Sequence, residues 1–228
     1  NRLRVLVAGF VLRRASRIRV VSERIKTSLE KKYHLRAPVT VLPSFVDVEL
    51  FRDAKVEENL AKRFAEFKTK LLVVSRLEPE KNVGLAIRAF AKSAIEDSCL
   101  IILGEGREKE SLQKLSEKVG LSKWVFFEGA EAPIKYYKLA DLVLAPSLYE
   151  GYGMVIVEAL ASGVPVLSTD VGIAREAGAI IAGKDSFAEA IKTWFESGSR
   201  VGELRNYPYK NFEEYVEAYC GDIKSCTR

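Results

Sequence analysis

Short apolar runs alternate along this chain with longer segments whose apolar positions recur every three or four residues. The runs read as strands at Arg17–Val21, Val39–Leu42, Leu71–Ser75, Leu100–Leu103, Val125–Phe127, Leu142–Ala145, Val164–Ser168 and Ala179–Ala182. The periodic segments read as helices at Leu3–Arg14, Glu23–Tyr33, Glu57–Phe67, Asn82–Ala94, Lys109–Val119, Pro133–Leu139, Met154–Ser162, Phe187–Phe195 and Asn211–Tyr219. Ser22 is placed to cap the second helix, and Pro43 ends the strand before it, leaving Pro43–Asp47 as a loop or hinge. From Lys70 onward the strands are apolar throughout and alternate regularly with helices. That pattern predicts an α/β fold with a parallel sheet covered by helices on both faces. Ligands of such sheets bind at the carboxyl ends of the strands, so the loops after strands are the places to search for chemistry.

Composition narrows the class. The 228 residues are 48% apolar and 29% charged, enough to bury a substantial core. No apolar run approaches the ~20 residues that span a bilayer. The three cysteines at 99, 220 and 226 have neither metal-ligand spacing nor an even-numbered framework. A reducing compartment is therefore expected, and the cytoplasm is the location assigned. The lone methionine is Met154, so the expectation is that Asn1 is not a translated start and that sequence precedes it.

Charge is unevenly placed. The net charge is +5, but residues 1–36 carry eleven Lys or Arg and two acids, and the remainder carries twenty-five against twenty-nine. A head of +9 suits the cytoplasmic face of an anionic membrane or an acidic partner; it also reads as a solvated helix face. No nucleic-acid partner is expected.

Three loops after strands carry the candidate chemistry. The first is Ser75-Arg76-Leu77-Glu78-Pro79-Glu80-Lys81-Asn82, where Arg76 and Lys81 flank the start of a helix. Cations and helix N–H groups together suit phosphate oxygens. The second is Gly104-Glu105-Gly106, which leads into a helix. The third runs from Glu150 through Gly151 and Gly153 into the helix that begins at Met154 and carries Glu158. Its glycines allow a ligand to approach the backbone, and two carboxylates suit a ligand rich in hydroxyl groups. A single His34 and the lack of an Asp-x-Asp leave no metal site in prospect.

Taken together, Val74-Ser-Arg-Leu-Glu-Pro-Glu-Lys81, Gly104-Glu-Gly106, the Glu150-x7-Glu158 pair within EGYGMVIVEALASGVPV, and Val171-Gly-Ile-Ala-Arg-Glu176 resemble the retaining glycosyltransferases of family 4. That family has the two-domain GT-B fold, and the resemblance is to its C-terminal, Rossmann-like, donor-binding half. VVSERIKTSLEKKY and VTVLPSFVD resemble the end of its N-terminal domain and the crossover. The resemblance implies residues 1–46 as the remnant of an acceptor-side domain, 47–199 as the donor domain and 200–228 as a helical tail.

It also implies roles. Arg76 and Lys81 would grip a donor diphosphate, and Gly104, Glu105 and Gly106 would lie by the nucleoside. Glu150 would accept hydrogen bonds from sugar hydroxyls. Gly153, Met154 and Val155 would offer N–H groups, and Glu158 would hold the ribose. No cofactor beyond the nucleotide-sugar substrate and no metal are implied. The acceptor is undefined, with a lipid-linked one compatible with the basic head. The hinge has Ser44-Phe45 where the family favours Asn-Gly, Ala174 replaces a common proline, and the family's N-domain histidine has no counterpart. A donor-binding subunit or fragment, inactive without a separate acceptor domain, is the alternative.

Overall fold

The structure is a computed structural model that describes residues 2–225. The chain forms two compact units, Asn1–Val46 with Pro208–Arg228, and Asp47–Tyr207. Residues 200–228 are thereby shared, with the first eight in the larger unit and the rest in the smaller.

In the smaller unit α1 (Arg2–Arg14) leads to β1 (Ile18–Val20), α2 (Glu23–Lys32) and β2 (Val39–Val41). β1 and β2 pair in parallel, with Ile18 opposite Val39. Ser22 caps α2 as its position predicts, accepting from the Ile25 N–H at 3.4 Å. The last helix of the chain, Phe212–Lys224, is fastened to β1 through Asp222. Arg19 donates to that buried carboxylate through Nη2 at 2.5 Å and lies over the Tyr219 ring at 4.1 Å.

The larger unit holds α3 (Val48–Arg52), α4 (Glu58–Arg63), β3 (Thr69–Val74), α5 (Val83–Ser93), β4 (Ser98–Leu103), α6 (Lys109–Lys118) and β5 (Val125–Gly129). It continues with α7 (Ile134–Tyr137), β6 (Leu142–Ala145), α8 (Met154–Ala161), β7 (Val166–Ser168), α9 (Ala174–Ala177), β8 (Ile180–Ile181) and α10 (Phe187–Ser197). The six strands form one parallel sheet in the order β5-β4-β3-β6-β7-β8, the doubly wound arrangement.

Both faces of the sheet are covered, for the reason the unbroken apolar runs imply. Successive side chains of a strand point to opposite faces. Leu71, Val73, Leu100, Ile102, Leu142 and Leu144 pack under α5, α6 and α10. Leu72, Cys99, Ile101, Leu103 and Val143 face α7, α8, α9 and the end of α4.

Several elements differ from the sequence pattern. The helix expected over Glu57–Phe67 ends at Arg63, and the chain tightens so that the Ala65 N–H bonds Lys62 O. Packing decides this, because Phe64 and Phe67 turn onto Phe126 of β5, with ring centroids at 5.1 and 5.6 Å. The strand expected from Val164 pairs only from Val166, since Pro165 has no N–H to give the ladder. Helices α3 and α9 are too short to show a helical period in sequence.

Glycine matters most where loops cross. At Gly104, φ is 134° and a Cβ would lie 1.8 Å from Ser75 O, whereas at Gly120, φ 77°, nothing lies within 4 Å. Gly104→Ala is expected to cost ~3 kcal/mol or more, and Gly120→Ala only ~1 kcal/mol from its left-handed backbone. Urea unfolding of the two variants side by side measures the difference.

Candidate functional site

The sheet opens at its carboxyl edge between β3 and β6. These two strands pair over only Leu71–Leu142 and Leu72–Val143. Beyond that point Val73 and Val74 stay with Ile102 and Leu103 of β4, while Leu144 and Ala145 stay with Leu167 and Ser168 of β7. The chain order reverses here, so α5 and α8 leave toward opposite faces and a crevice forms.

Two loops border the crevice and are tied across it. The Ser75–Asn82 loop closes with a 3-10 turn at Pro79–Lys81, and Asn82 takes φ 51°, a left-handed conformation that asparagine tolerates. The Asn82 side-chain amide donates to Pro146 O at 3.1 Å, and the Leu148 N–H donates to Glu80 O at 2.8 Å. Lys81 Nζ then meets Glu150 Oε1 at 2.5 Å. Both side chains are largely enclosed, 17% and 20% exposed. Glu150 is held from below, because the buried Ser147 hydroxyl donates to the same oxygen at 2.8 Å. Ser147 is fixed in turn by the Thr169 hydroxyl, which donates to Ser147 O at 2.5 Å.

Arg76 is not part of that contact. It is exposed, 71%, and pairs one helical turn on with Glu80 at 3.1 Å. Glu78 on the same loop pairs with Arg107 at 2.8 Å. Gly104 and Gly106 serve the loop's backbone directly, since a Cβ at either would strike Ser75 O or Leu77 O. The Leu77 N–H donates to Glu105 O, and the Glu108 N–H to Leu77 O, both at 2.9 Å. Glu105 directs its carboxylate to Lys109 at 2.7 Å.

Both helices that start at the crevice present N–H groups. Those of Val83 and Gly84 at α5, and of Met154 and Val155 at α8, have no acceptor among the described residues. Such groups, with the helix dipole behind them, favour an anion. Gly153 begins α8 at φ 100°, and Met154 is exposed at the first position. Behind this loop Gly172, φ 51°, approaches so closely that a Cβ would sit 2.2 Å from Tyr152 O.

Glu158 lies one turn further along α8. It accepts a 2.7 Å hydrogen bond from the hydroxyl of Tyr137, itself fully buried under α8. The ring of Phe51 in α3 stands edge-on to Tyr137 at 5.7 Å. Burial raises the Glu158 carboxyl above its ordinary range, and the Tyr137 hydrogen bond opposes that rise. Burial, with the Glu158 charge beside it, pushes the Tyr137 phenol well up, so it stays a donor.

Residues 56–215 match the family described as "Glycosyl transferases group 1". The chain belongs to this family. Among curated group 1 glycosyl transferases and their relatives it is similar to the D-inositol 3-phosphate glycosyltransferase of Corynebacterium jeikeium, 32% identical over 59% of this chain and 36% of that protein. It is likewise similar to the GDP-mannose-dependent alpha-(1-6)-phosphatidylinositol monomannoside mannosyltransferase of Mycobacterium tuberculosis, 30% identical over 75% and 49%. The chain thus matches about a third to a half of the length of these relatives. In fold it is similar to Anabaena HepE, solved with UDP and glucose, at a TM-score of 0.83 and 20% identity over 99% of this chain and 68% of that one. Sucrose-phosphate synthase of Thermosynechococcus elongatus follows at 0.79 and 21%, over 99% and 61%. The α/β architecture expected from the apolar runs is the one these two solved structures share.

Four side chains of the site escaped the sequence reading. Ser147 stands three residues before Glu150, close enough along the chain for its hydroxyl to reach the carboxylate around the turn. Asn82, Thr169 and Tyr137 act on partners 64, 22 and 21 residues away and carried no local signal.

The Tyr137–Glu158 bond gives a signed expectation. A carboxyl raised in the folded state costs stability as pH climbs through its raised value, and losing its donor enlarges that cost. Tyr137→Phe should therefore cost ~1–2 kcal/mol at neutral pH and less near pH 4, where Glu158 is protonated. Denaturant unfolding of both proteins across that pH range measures the gap, which must widen upward.

Proposed function

We propose that this protein transfers a sugar from a nucleoside-diphosphate sugar to an acceptor, with retention of configuration, and that the crevice between β3 and β6 is its donor site. The observation that carries this reading is the pairing of Lys81 with Glu150 across the opening, beside two helix N-termini. A diphosphate needs cations and N–H donors, which Lys81, Arg76 and the starts of α5 and α8 supply. A sugar needs carboxylate acceptors, which Glu150 supplies at the rim and Glu158 supplies, for the ribose, one turn inside. Gly104, Glu105 and Gly106 shape the wall beside the nucleoside.

Cleavage of the glycosyl–phosphate bond leaves negative charge on the departing diphosphate. Preorganised charge aimed at it lowers the barrier, and one such contact is commonly worth ~3 kcal/mol. Arg76 and Lys81 take the part a divalent cation has elsewhere. In the retaining reaction the acceptor hydroxyl attacks from the leaving-group side, its oxygen bonding the anomeric carbon while its proton passes to the departing phosphate. Glu150 is assigned to binding and not to nucleophilic attack. The named relatives support a nucleotide-sugar donor, and the phosphatidylinositol monomannoside of one of them makes a lipid-linked acceptor the first to test.

A second reading rests on length. The chain matches 36% and 49% of the lengths of the two curated relatives cited above, so this segment would bind donor and rely on an acceptor domain or subunit for transfer.

Calorimetry with UDP, GDP and ADP tests the donor site itself. One of the three is expected to bind, with Lys81→Ala weakening it ~100-fold and Arg76→Ala ~10-fold. Glu150→Ala should leave the bare diphosphate within ~3-fold and remove the gain from an attached sugar. Binding of none of the three, or binding indifferent to Lys81, overturns the reading. Transfer by the chain alone would discard the second reading.

A further inference from the structure

The smaller unit has an open surface pocket of about 450 Å³ lined by the exposed Arg13, Arg14, His34 and Arg36. All four side chains are donors and none is an acid. Nearby, acid pairing is the rule: Arg17 and Arg19 both reach Asp222. Among the described residues no such pairing exists for the four that line the pocket.

The basin is assembled by packing. Gly9 of α1 lies against Tyr33, where a Cβ would come within 3.1 Å of the ring. That contact sets the last turn of α1 beside the Tyr33–Arg36 segment. The Arg14 guanidinium lies over the Phe10 ring at 3.7 Å, and Lys32 Nζ over the Tyr33 ring at 5.5 Å. The first of these contacts restricts Arg14 before any ligand arrives.

Like charges gathered around one pocket repel. The carboxyl end of α1 offsets this for Arg13 and Arg14, which stand in its last turn. It does nothing for His34 and Arg36, which enter from a different segment. The species that offsets the three guanidiniums, and can accept from His34, is an anion with several oxygens, and planar guanidinium forks match the edges of a phosphate.

We propose that this basin binds a phosphate-bearing group, separately from the donor site. It holds the oxygens of one phosphate, with space for the moiety attached. The phosphate comes either from a free soluble ion or from the headgroup of an anionic lipid. Exposed Leu6, Val7, Phe10 and Val11 on the same helix make the second source worth its own arm.

The test uses the 228-residue chain, its Arg14→Glu/Arg36→Glu variant and a control, Lys114→Glu/Lys118→Glu, with the same charge change on α6. One arm titrates inorganic phosphate by calorimetry. The other measures co-sedimentation with vesicles of phosphatidylcholine, with and without phosphatidylglycerol. In at least one arm the parent is expected to bind, the basin variant to lose ~10-fold or more, and the control less than ~2-fold. Binding should weaken as salt is added. Lys81→Ala, which strikes the donor site, should leave this binding unchanged, so failure of one site is distinguishable from failure of the other. Circular dichroism and the milder Arg14→Gln/Arg36→Gln variant show whether a loss reflects unfolding. Absence of binding in both arms overturns the proposal, as do equal losses in basin variant and control, or dependence on Lys81.

Discussion

At the centre of the sheet β3 and β6 are paired over two registers, Leu71–Leu142 and Leu72–Val143, with Lys70 and Asp141 bonded just before them. Each half, β3 with β4 and β5, and β6 with β7 and β8, is paired normally on its outer side. Where β3 and β6 part, backbone that would have been covered by a neighbouring strand faces an opening instead. Past that point the two sides are joined through their loops instead, by Asn82 to Pro146, Leu148 to Glu80 and the Lys81–Glu150 pair. The site is thus a consequence of strand order before it is a consequence of any side chain.

Charge in that opening is held under restraint. Lys81 and Glu150 are mostly withdrawn from water, which strengthens their attraction and adds a desolvation cost. Ser147 shares the burden by donating to the same Glu150 oxygen that Lys81 meets, and Thr169 fixes Ser147 through its backbone carbonyl. Glu158 is treated differently. It is buried beside a tyrosine whose hydroxyl donates to it, which sets the side chain's direction and favours its ionised form against the pull of burial. The two carboxylates of this loop and helix therefore differ in partner and in depth.

The smaller unit shows the opposite handling of charge. Asp222 collects Arg17 and Arg19 and so ties the final helix to β1, while Arg13, Arg14, His34 and Arg36 line a pocket with no acid of their own. The same excess of cations in the first 36 residues thus divides into a structural part and a part left for an external anion.

From Lys70 to Phe195 the sequence alone determined the order and kind of nearly every element, because strands buried on both faces must be apolar at every position and amphipathic helices must keep a period near 3.6. It also placed Arg76, Lys81, Glu150 and Glu158 after strands, since glycine, proline and charge mark where strands stop. Tertiary structure alone decided the strand order, the early end of α4 against Phe126, and the splay of β3 from β6. It alone decided, too, that Lys81 meets Glu150 while Arg76 turns to Glu80, and that Tyr137 reaches Glu158. The reason is physical: periodicity and turn chemistry are local properties of the chain, whereas each of these contacts joins residues by packing or register that no local pattern encodes.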